Sequence, residues 1–506
     1  MNHLLGHLAA ATATIAVLIA SPHIALAKTK AKRSAASASN AELLEKIQAL
    51  ETKLDLLEQQ NARLAHQQVT PQQVNELDQQ VRIIDRKQKI AEQESVENAK
   101  TAPIIQAGPN GFLFSTADGD YKLRVGGYLQ ADGRYFTTKT RGNGSTFIIR
   151  RARPTLEGTL AKYYDFKFMA DFGQGTTVLE DAYIGSNFLN GLRTRSGQFK
   201  EPVSLERLQD DRYITFIERA LPVNIVPDRD LGTMFWGDLL GDRLTYQLGV
   251  FNGVPDNVAT ANFSINNGKE FAGRFFAHPF HGSSLEALDQ FGLGFGGTYG
   301  ENKTNGVGGT IVDGNVLTNY KTAGQTTFLT WANGTKAAGY RYRIAPQANY
   351  LWGPFALQGE WVQETQNLGH TGFTTVGKVL TQPTRPISTQ AWQTTAGYML
   401  SGEDNSFSGI RPRHPFDPFK GSWGAFQLTA RADQLLVDRQ AFTQGFASKS
   451  VSAREAFEWA VGLNWYLNQN LIFYTDYFNT NFIGGNVGGS NKTLESCLYN
   501  ELEVIF

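Results

Sequence analysis

The sequence predicts an all-β protein: a transmembrane antiparallel β-barrel of about 16 strands, preceded by a short α-helical coiled coil. Three observations support this prediction. One long stretch alternates between apolar and polar residues, similar stretches recur between turn-rich segments, and the chain ends on an aromatic residue. After the N-terminus, no apolar run reaches the roughly 18 residues that a membrane helix needs.

The clearest alternation runs from Tyr121 to Phe136. Its odd positions are apolar with an aromatic residue at each end, and its even positions include cations, an amide and a carboxylate. Because side chains alternate across a strand, one face is apolar and the other is polar. The stretch is long enough to cross a bilayer as a tilted strand, and its apolar face suits a wall in contact with outer-membrane lipid.

Seventeen alternating segments follow residue 111, and one of them lies at 325–332. A bacterial single-chain barrel has an even number of strands, so at least one segment is not a barrel strand. We expect about 16 strands, a number that leaves a water-filled lumen. The polar stretches 301–324, 366–387 and 402–421 are predicted to be outside loops, and Leu467 to Asn470 a short periplasmic turn.

The N-terminal quarter divides into three segments. Residues 1–27 lack Lys, Arg, Asp and Glu, contain an apolar run and end on Ala-Leu-Ala, which is typical of a signal peptide. Residues 28–98 are predicted to be a periplasmic coiled-coil segment, residues 99–110 a linker, and residues 111–506 the barrel. The alternative for 28–98 is an amphipathic helix folded back on the barrel.

A heptad pattern supports the coiled coil. Leu43, Leu50, Leu57 and Leu64 repeat at intervals of seven, and a second seam begins at Val74. Pro71 interrupts the pattern between them, so two helical segments are expected rather than one rod. A self-associating stalk of this kind could also grip peptidoglycan or a periplasmic partner.

The last residues share one phase. Leu498, Leu502, Val504 and Phe506 all lie at even positions, and the chain stops on Phe506. A terminal aromatic at the end of an amphipathic strand resembles the assembly signal of bacterial outer-membrane barrels.

Function in such a barrel depends on where the charges lie in the lumen. The formal net charge is zero, and the barrel region 111–506 keeps 35 basic and 36 acidic residues. Its first 90 residues nevertheless place cations on the inward phase: Lys122, Arg124, Arg134, Arg151, Arg153, Lys167 and Lys200. Arg150 adjoins them on the opposite phase, unless a bulge re-aims it. These cations either select anions or pair with carboxylates such as Asp171 to brace the wall.

Several motifs resemble the phosphate-selective porin O/P family. They are 197–208 (GQFKEPVSLERL), 215–219 (TFIER), 150–153 (RRAR), 156–158 (LEG), 242–246 (DRLTY), 249–253 (GVFNG) and 462–466 (GLNWY). The resemblance covers about 111–506 and excludes the coiled coil. It implies that 205–227 fold into the lumen, that Lys200 and Ser204 lie at the constriction, and that Arg124, Arg150, Arg151 and Asp171 surround the anion.

Three functions therefore remain open. The first is a homotrimeric outer-membrane channel for small anions, most plausibly inorganic phosphate or polyphosphate. The second is a general small-solute porin, and the third is an envelope-tethering protein that uses the coiled coil. No catalytic spacing or metal motif stands out in the sequence, so neither an enzyme nor a cofactor is expected, and the zero net charge gives no reason to expect a nucleic-acid partner.

Overall fold

The computed structural model describes residues 48, 52–59, 71–138, 144–258, 268–302, 317–374, 377–380 and 384–506. The predicted signal peptide, and Leu43, Leu50 and Leu64 of the first heptad seam, lie outside these residues. The chain divides into two units, 1–99 and 100–506. No helix in the described ranges is both long enough and apolar enough to cross a membrane.

The N-terminal unit is helical over 52–59 and again from Pro71, where α1 (Pro71–Thr101) begins. Proline suits the first helical position because its missing N–H would have no partner there. The apolar positions Val74, Leu77, Val81 and Ile84 are all more than half exposed. A coiled coil would bury them against another helix, and it stays a prediction.

Strands make up most of the second unit. They are β1 (Ile104–Gly108), β2 (Gly111–Ser115), β3 (Lys122–Phe136), β4 (Thr146–Leu160), β5 (Tyr164–Asp171), β6 (Val178–Leu189), β7 (Leu192–Lys200), β8 (Arg229–Leu239), β9 (Leu244–Phe251), β10 (Glu270–Ala277), β11 (Gly292–Asn302), β12 (Tyr320–Lys321), β13 (Thr327–Leu329), β14 (Thr335–Trp352), β15 (Phe355–Thr374), β16 (Gly377–Leu380), β17 (Arg385–Met399), β18 (Ala425–Val437), β19 (Ala453–Asn468), β20 (Leu471–Gly484) and β21 (Glu495–Ile505). Two short helices follow α1, namely α2 (Leu205–Leu208) and α3 (Arg439–Thr443).

Sixteen of these strands close a barrel, as predicted. They are β3 to β11, β14, β15 and β17 to β21, each antiparallel to its neighbours, and β21 pairs with β3 to complete the ring. Of the seventeen candidate segments, 325–332 is the one that does not form a barrel strand. Part of it forms β13, which pairs only with β12.

The alternation of β3 is the one that the sequence predicts. Tyr128, Gln130 and Asp132 are at most 4 % exposed, whereas Leu129 and Tyr135 are 38 % and 44 % exposed. The apolar phase therefore faces outward and the polar phase faces the lumen.

The strands meet at two ends of the barrel, and one end has mostly short connections. Gly353 and Pro354 join β14 to β15, and residues 469–470 join β19 to β20. Residues 400–424, which we call the mouth loop, connect β17 to β18 at this same short-turn end. The Asn405 N–H donates to the Gly353 carbonyl and the Phe416 N–H donates to the Leu467 carbonyl. The prediction that 402–421 is an outside loop, opposite the Leu467 turn, is therefore wrong.

Two segments enter the lumen from the other, long-loop end. Residues 201–228, the infolded loop, connect β7 to β8, and residues 317–334 lead into β14. Apolar residues from both pack in the lumen, among them Val223, Ile225, Phe328 and Leu329. The core of this barrel therefore lies inside it, and the infolded segments narrow the lumen.

The predicted linker 99–110 is wrong in part, because α1 continues to Thr101 and β1 pairs with β2. β2 pairs with the first residues of β3, on the edge of β3 that β21 also uses. The β1–β2 hairpin thus continues the sheet past the end of β21. The Asn470 amide links the two by donating to the Pro109 carbonyl at 2.6 Å and to the Ile505 carbonyl at 2.8 Å.

Candidate functional site

Two cavities lie on opposite sides of the infolded loop. The larger, of about 520 Å³, is lined by residues 208 and 210–213 of the loop and reaches Gly126 and Phe506 at the short-turn end. The smaller, of about 80 Å³, is lined by Arg207, residues 218–219 and 223–224 of the loop and by 321–322. The loop therefore forms the partition between the two halves of the lumen.

A β-bulge places Arg150 at the smaller cavity. Gln130 of β3 pairs with Arg151 and Ala131 pairs with Ile149, so Arg150 is the extra residue of β4. The extra residue shifts the phase of the strand and turns two consecutive arginines toward the lumen. The sequence predicts that Arg150 faces the lumen only if a β-bulge turns it inward, and the structure contains this bulge.

Cations dominate the smaller cavity. Its cationic lining residues are Arg150, Arg151, Arg207, Arg219 and Lys321, and Glu218 is the one carboxylate among the described residues that line it. Arg151 donates to the Gln130 side-chain oxygen at 2.6 Å. Arg207 pairs with Asp228 at 3.2 Å, and Arg219 pairs with Asp211.

Glu218 is fixed by two arginines. It lies in the infolded loop, outside the membrane-spanning strands, and accepts hydrogen bonds from Arg150 and from Arg134. Burial raises the pKa of the Glu218 carboxyl, but the charges of Arg150 and Arg134 outweigh this effect and hold the pKa well below its usual range. Glu218 therefore stays ionised at neutral pH.

The larger cavity contains Arg124, Lys167 and Lys200. The Lys200 ammonium donates to the Gln209 carbonyl at 2.7 Å and lies 3.8 Å from Asp211. Arg124 lies 3.4 Å from Glu157, and Lys167 lies 3.3 Å from Asp181. These side chains all face the lumen, but on the opposite side of the infolded loop from Arg150 and Arg151. The structure thus divides the predicted anion site in two.

Four other predicted site residues line neither cavity: Arg134, Arg153, Asp171 and Ser204. Arg153 pairs with Asp171, Glu180 and Asp211 at once. Ser204 is fully buried and caps α2 by accepting from the Arg207 N–H. These contacts favour a bracing role for the four residues, the alternative that the sequence left open.

The terminal residue faces the exterior, as its phase predicts. Phe506 is 47 % exposed, like Leu502 and Val504, which share its phase. Its backbone pairs with Gly127 in both directions, at 2.7 Å and 2.9 Å. The last residue therefore contributes directly to the closing seam.

The sequence reasoning missed seven cations that line the cavities: Arg195, Arg207, Arg212, Arg219, Arg229, Arg274 and Lys321. Lys200 and Arg195 are five residues apart, so regular alternation along β7 would place them on opposite faces of the strand. Both side chains nevertheless line the larger cavity. Gly197, between them, has a φ of +129°, a departure from regular strand geometry that parity does not anticipate. Arg207, Arg212, Arg219 and Lys321 lie outside the barrel strands, where no alternation indicates the direction of a side chain.

Wall carboxylates explain how a barrel without excess positive charge has cationic cavities. Glu360 accepts from the backbone N–H groups of Leu205 and Glu206, and Asp476 accepts from the Ile217 N–H. Glu458 likewise accepts from the Ala323 N–H. These acidic side chains anchor the infolded segments to the wall by accepting hydrogen bonds from their backbone N–H groups.

Comparisons with known proteins agree with this architecture. The model of the family described as "Phosphate-selective porin O and P" matches residues 123–481. Porin O of Pseudomonas aeruginosa is 21 % identical over 397 residues, which cover 72 % of this chain and 84 % of that protein.

Two solved structures illustrate the likeness in three dimensions. The outer membrane channel DcaP of Acinetobacter baumannii has a TM-score of 0.50 at 10 % identity, covering 79 % of this chain and 100 % of that chain. A loop-deletion mutant of OmpT, an outer membrane protein of Vibrio cholerae, has a TM-score of 0.44 at 10 % identity, covering 76 % and 100 %. The family match spans well over half of the sequence. This chain therefore belongs to the phosphate-selective porin O and P family and is a porin of the outer membrane.

Proposed function

We propose that this porin passes small anions, with inorganic phosphate or polyphosphate as the preferred substrates. The observation that carries the proposal is the lining of the smaller cavity, where five cations face a single carboxylate among the described residues. Guanidinium groups offer several donors in a plane that matches phosphate oxygens, and they stay charged at any physiological pH. Rings of Arg and Lys are a known means of anion selection in pores.

The two cavities support a path with two stages. An anion entering from the long-loop end meets Arg150 and Arg151 first, and Arg124, Lys167 and Lys200 beyond the infolded loop. Because the barrel wall has a low dielectric constant, fixed cations at a narrow point act strongly on an anion that has lost part of its water. Several weak sites in series also allow the anion to leave, which conduction requires.

The family description supports phosphate as the preferred anion. We further propose that the porin is a homotrimer. We also propose that its short-turn end lies in the periplasm, because outer-membrane barrels have short periplasmic turns. The segment 28–98 would then be a periplasmic coiled coil that binds its own copies.

Reversal potentials in planar bilayers under a salt gradient test the proposal. We expect the parent to be anion-selective and its chloride current to be blocked by added phosphate. Lys200→Glu should lower or reverse the selectivity, and Arg151→Ala should act in the same direction but less, because Arg150 and Arg219 remain. Lys449→Glu makes the same charge change at an exposed residue of the connection 438–452 and serves as the matched control.

A parent channel with cation selectivity, or with none, would contradict the anion proposal and leave a general small-solute porin. The same conclusion follows if the Lys200 and Arg151 variants fold normally and keep both selectivity and phosphate block. In that case the lumen cations only brace the wall.

The exposed apolar positions of α1 favour a second role, attachment of the envelope through the stalk. Deleting 28–98 tests this role and leaves the β1–β2 hairpin in place. Conductance should persist while the outer membrane detaches from the cell wall. An envelope that stays attached would exclude the tethering role.

A further inference from the structure

We propose that the larger cavity binds organic anions that carry an aromatic ring, such as aryl phosphates. This inference deepens the proposed anion-channel function and rests on it. The cavity, on the short-turn side of the infolded loop, combines two guanidinium groups that have no carboxylate partner among the described residues with aromatic and thioether surface.

Size is the first argument. The cavity of about 520 Å³ falls within the range of about 300–1,000 Å³ typical of small-molecule sites. One water takes about 30 Å³ of liquid, so the space exceeds by far what the five heavy atoms of inorganic phosphate occupy. A larger anion is needed to contact its opposite walls at the same time.

The second argument is the state of Arg195. Its guanidinium carbon lies 4.2 Å from the centroid of the Tyr183 ring and 5.5 Å from that of Phe199. Among the described residues, no carboxylate lies within ion-pair distance of it, and its Nε–H has no hydrogen-bond acceptor. Stacking covers a face of the guanidinium and the Nε–H is itself buried, so an anion in the cavity would meet the terminal N–H groups.

Arg274, three strands along the same wall, has a similar environment. Its guanidinium carbon lies 4.4 Å above the Phe276 ring, and its side chain donates to Gln347 at 2.9 Å and to Gln247 at 3.4 Å. Both partners are neutral amides, so the positive charge is not neutralised by an ion pair. Arg195 and Arg274 therefore differ from Arg124, Lys167 and Lys200 in the same cavity, which all have a carboxylate nearby.

The apolar lining completes the site. Met169, Tyr183, Phe199, Tyr213 and Met234 line the same cavity. Rings and thioethers make favourable contacts with an aromatic ligand, whereas a small hydrated anion gains nothing from them. The anionic group would lie against Arg195 or Arg274, and the ring against this apolar surface.

Block of the chloride current by two phosphate esters tests the inference. Phenyl phosphate and methyl phosphate carry the same anionic group and differ in the ring. We expect phenyl phosphate to reach half-block at a concentration about tenfold lower than methyl phosphate does, because one contact of a ring with a cation or with another ring contributes about this factor in affinity. Inorganic phosphate should resemble methyl phosphate.

Two variants locate the effect. Arg195→Lys keeps the charge but loses the planar fork, and Tyr183→Leu removes the ring but keeps apolar bulk. Tyr183→Leu should bring the ratio of the two half-block concentrations close to one, and Arg195→Lys should raise the half-block concentrations of both esters. Neither variant should abolish block by inorganic phosphate. Arg193→Lys is the matched control, because Arg193 lies on the same strand as Arg195, stacks on Trp236 of β8, pairs with Asp238 and does not line the cavity.

The proposal is overturned if the parent channel shows equal block by the two esters, or no block by either. It is also overturned if the Tyr183→Leu variant folds and keeps the parent's ratio, or if the Arg195→Lys variant folds and keeps the parent's half-block concentrations. The reversal potential from the same membranes reports separately on anion selectivity, so failure of the aromatic site and failure of the proposed channel function are distinguishable.

Discussion

Two hydrogen bonds join the Arg150 guanidinium on β4 to the Glu218 carboxylate in the infolded loop, at 2.6 Å and 3.0 Å. This bidentate pair fastens the tip of the loop to the wall at the β-bulge. It also places Glu218, the one carboxylate among the described residues that line the smaller cavity, beside the cations that we assign to anion passage.

Replacing Glu218 with Gln should make the channel more anion-selective. The substitution removes the negative charge and leaves Arg150, Arg151 and Arg219 at the cavity. The reversal potential under a salt gradient should move toward that of chloride, and phosphate should block at several-fold lower concentration. Glu286→Gln, at an exposed turn, is the control. Unchanged selectivity in a folded barrel would contradict the assignment of this cavity.

Arg153→Ala should impair folding rather than selectivity. Arg153 pairs with Asp171, Glu180 and Asp211, and its removal leaves buried carboxylates without their partner. Breaking a buried ion pair in this way costs roughly 3–5 kcal/mol. The fraction of barrel that migrates in its folded form on unboiled gels measures the effect. Arg151→Ala is the comparison and should retain normal folding, whereas equal yields from the two variants would contradict the bracing role of Arg153.

Shortening the mouth loop should raise the single-channel conductance. Ile410 of this loop is buried with Phe216 and Ile217 of the infolded loop, so the mouth loop fills part of the lumen from the short-turn end. Replacing 403–421 with a Gly-Ser pair removes this contact. Deleting 281–287, a mostly exposed turn at the same end, should leave the conductance unchanged. A conductance equal to that of the parent after the first change would show that the loop lies outside the ion path.

Deleting Phe506 should lower assembly more than conduction. The deletion removes both backbone hydrogen bonds to Gly127 at the closing seam. The yield of folded barrel in isolated outer membranes should fall, while the assembled fraction conducts normally. Phe506→Tyr keeps the backbone and the ring and should assemble like the parent. A normal yield after the deletion would refute the assembly role.

Local periodicity was sufficient to predict the barrel. Parity along β3 depends only on the alternation of side chains, so Gln130 and Leu129 could be assigned to opposite faces from sequence alone. The same reasoning failed at 325–332, where a short alternating run belongs to a hairpin inside the lumen. Alternation reports that a segment is a strand, but not which strand it pairs with.

The site was less predictable, for geometric reasons. Arg150 and Arg151 both face the lumen only because of one extra residue in β4, and nothing in the local sequence requires the bulge. The direction of the mouth loop depends on contacts with Gly353 and Leu467, which are remote in the chain. Side chains on the infolded segments, such as Arg219 and Lys321, are positioned by tertiary packing, which sequence periodicity does not predict.

The seam between Gly127 and Phe506 has a consequence for the order of folding. The two residues are separated by 379 positions, nearly the whole barrel, so their contact carries a large loop-closure entropy unless the intervening strands have formed first. Neighbouring hairpins can form while the sheet is still open, and the ring closes only when β21 meets β3. Until then, β3 and β21 are open edges able to pair with other chains. Asn470, which holds the terminal strand and the N-terminal hairpin together, completes the closure.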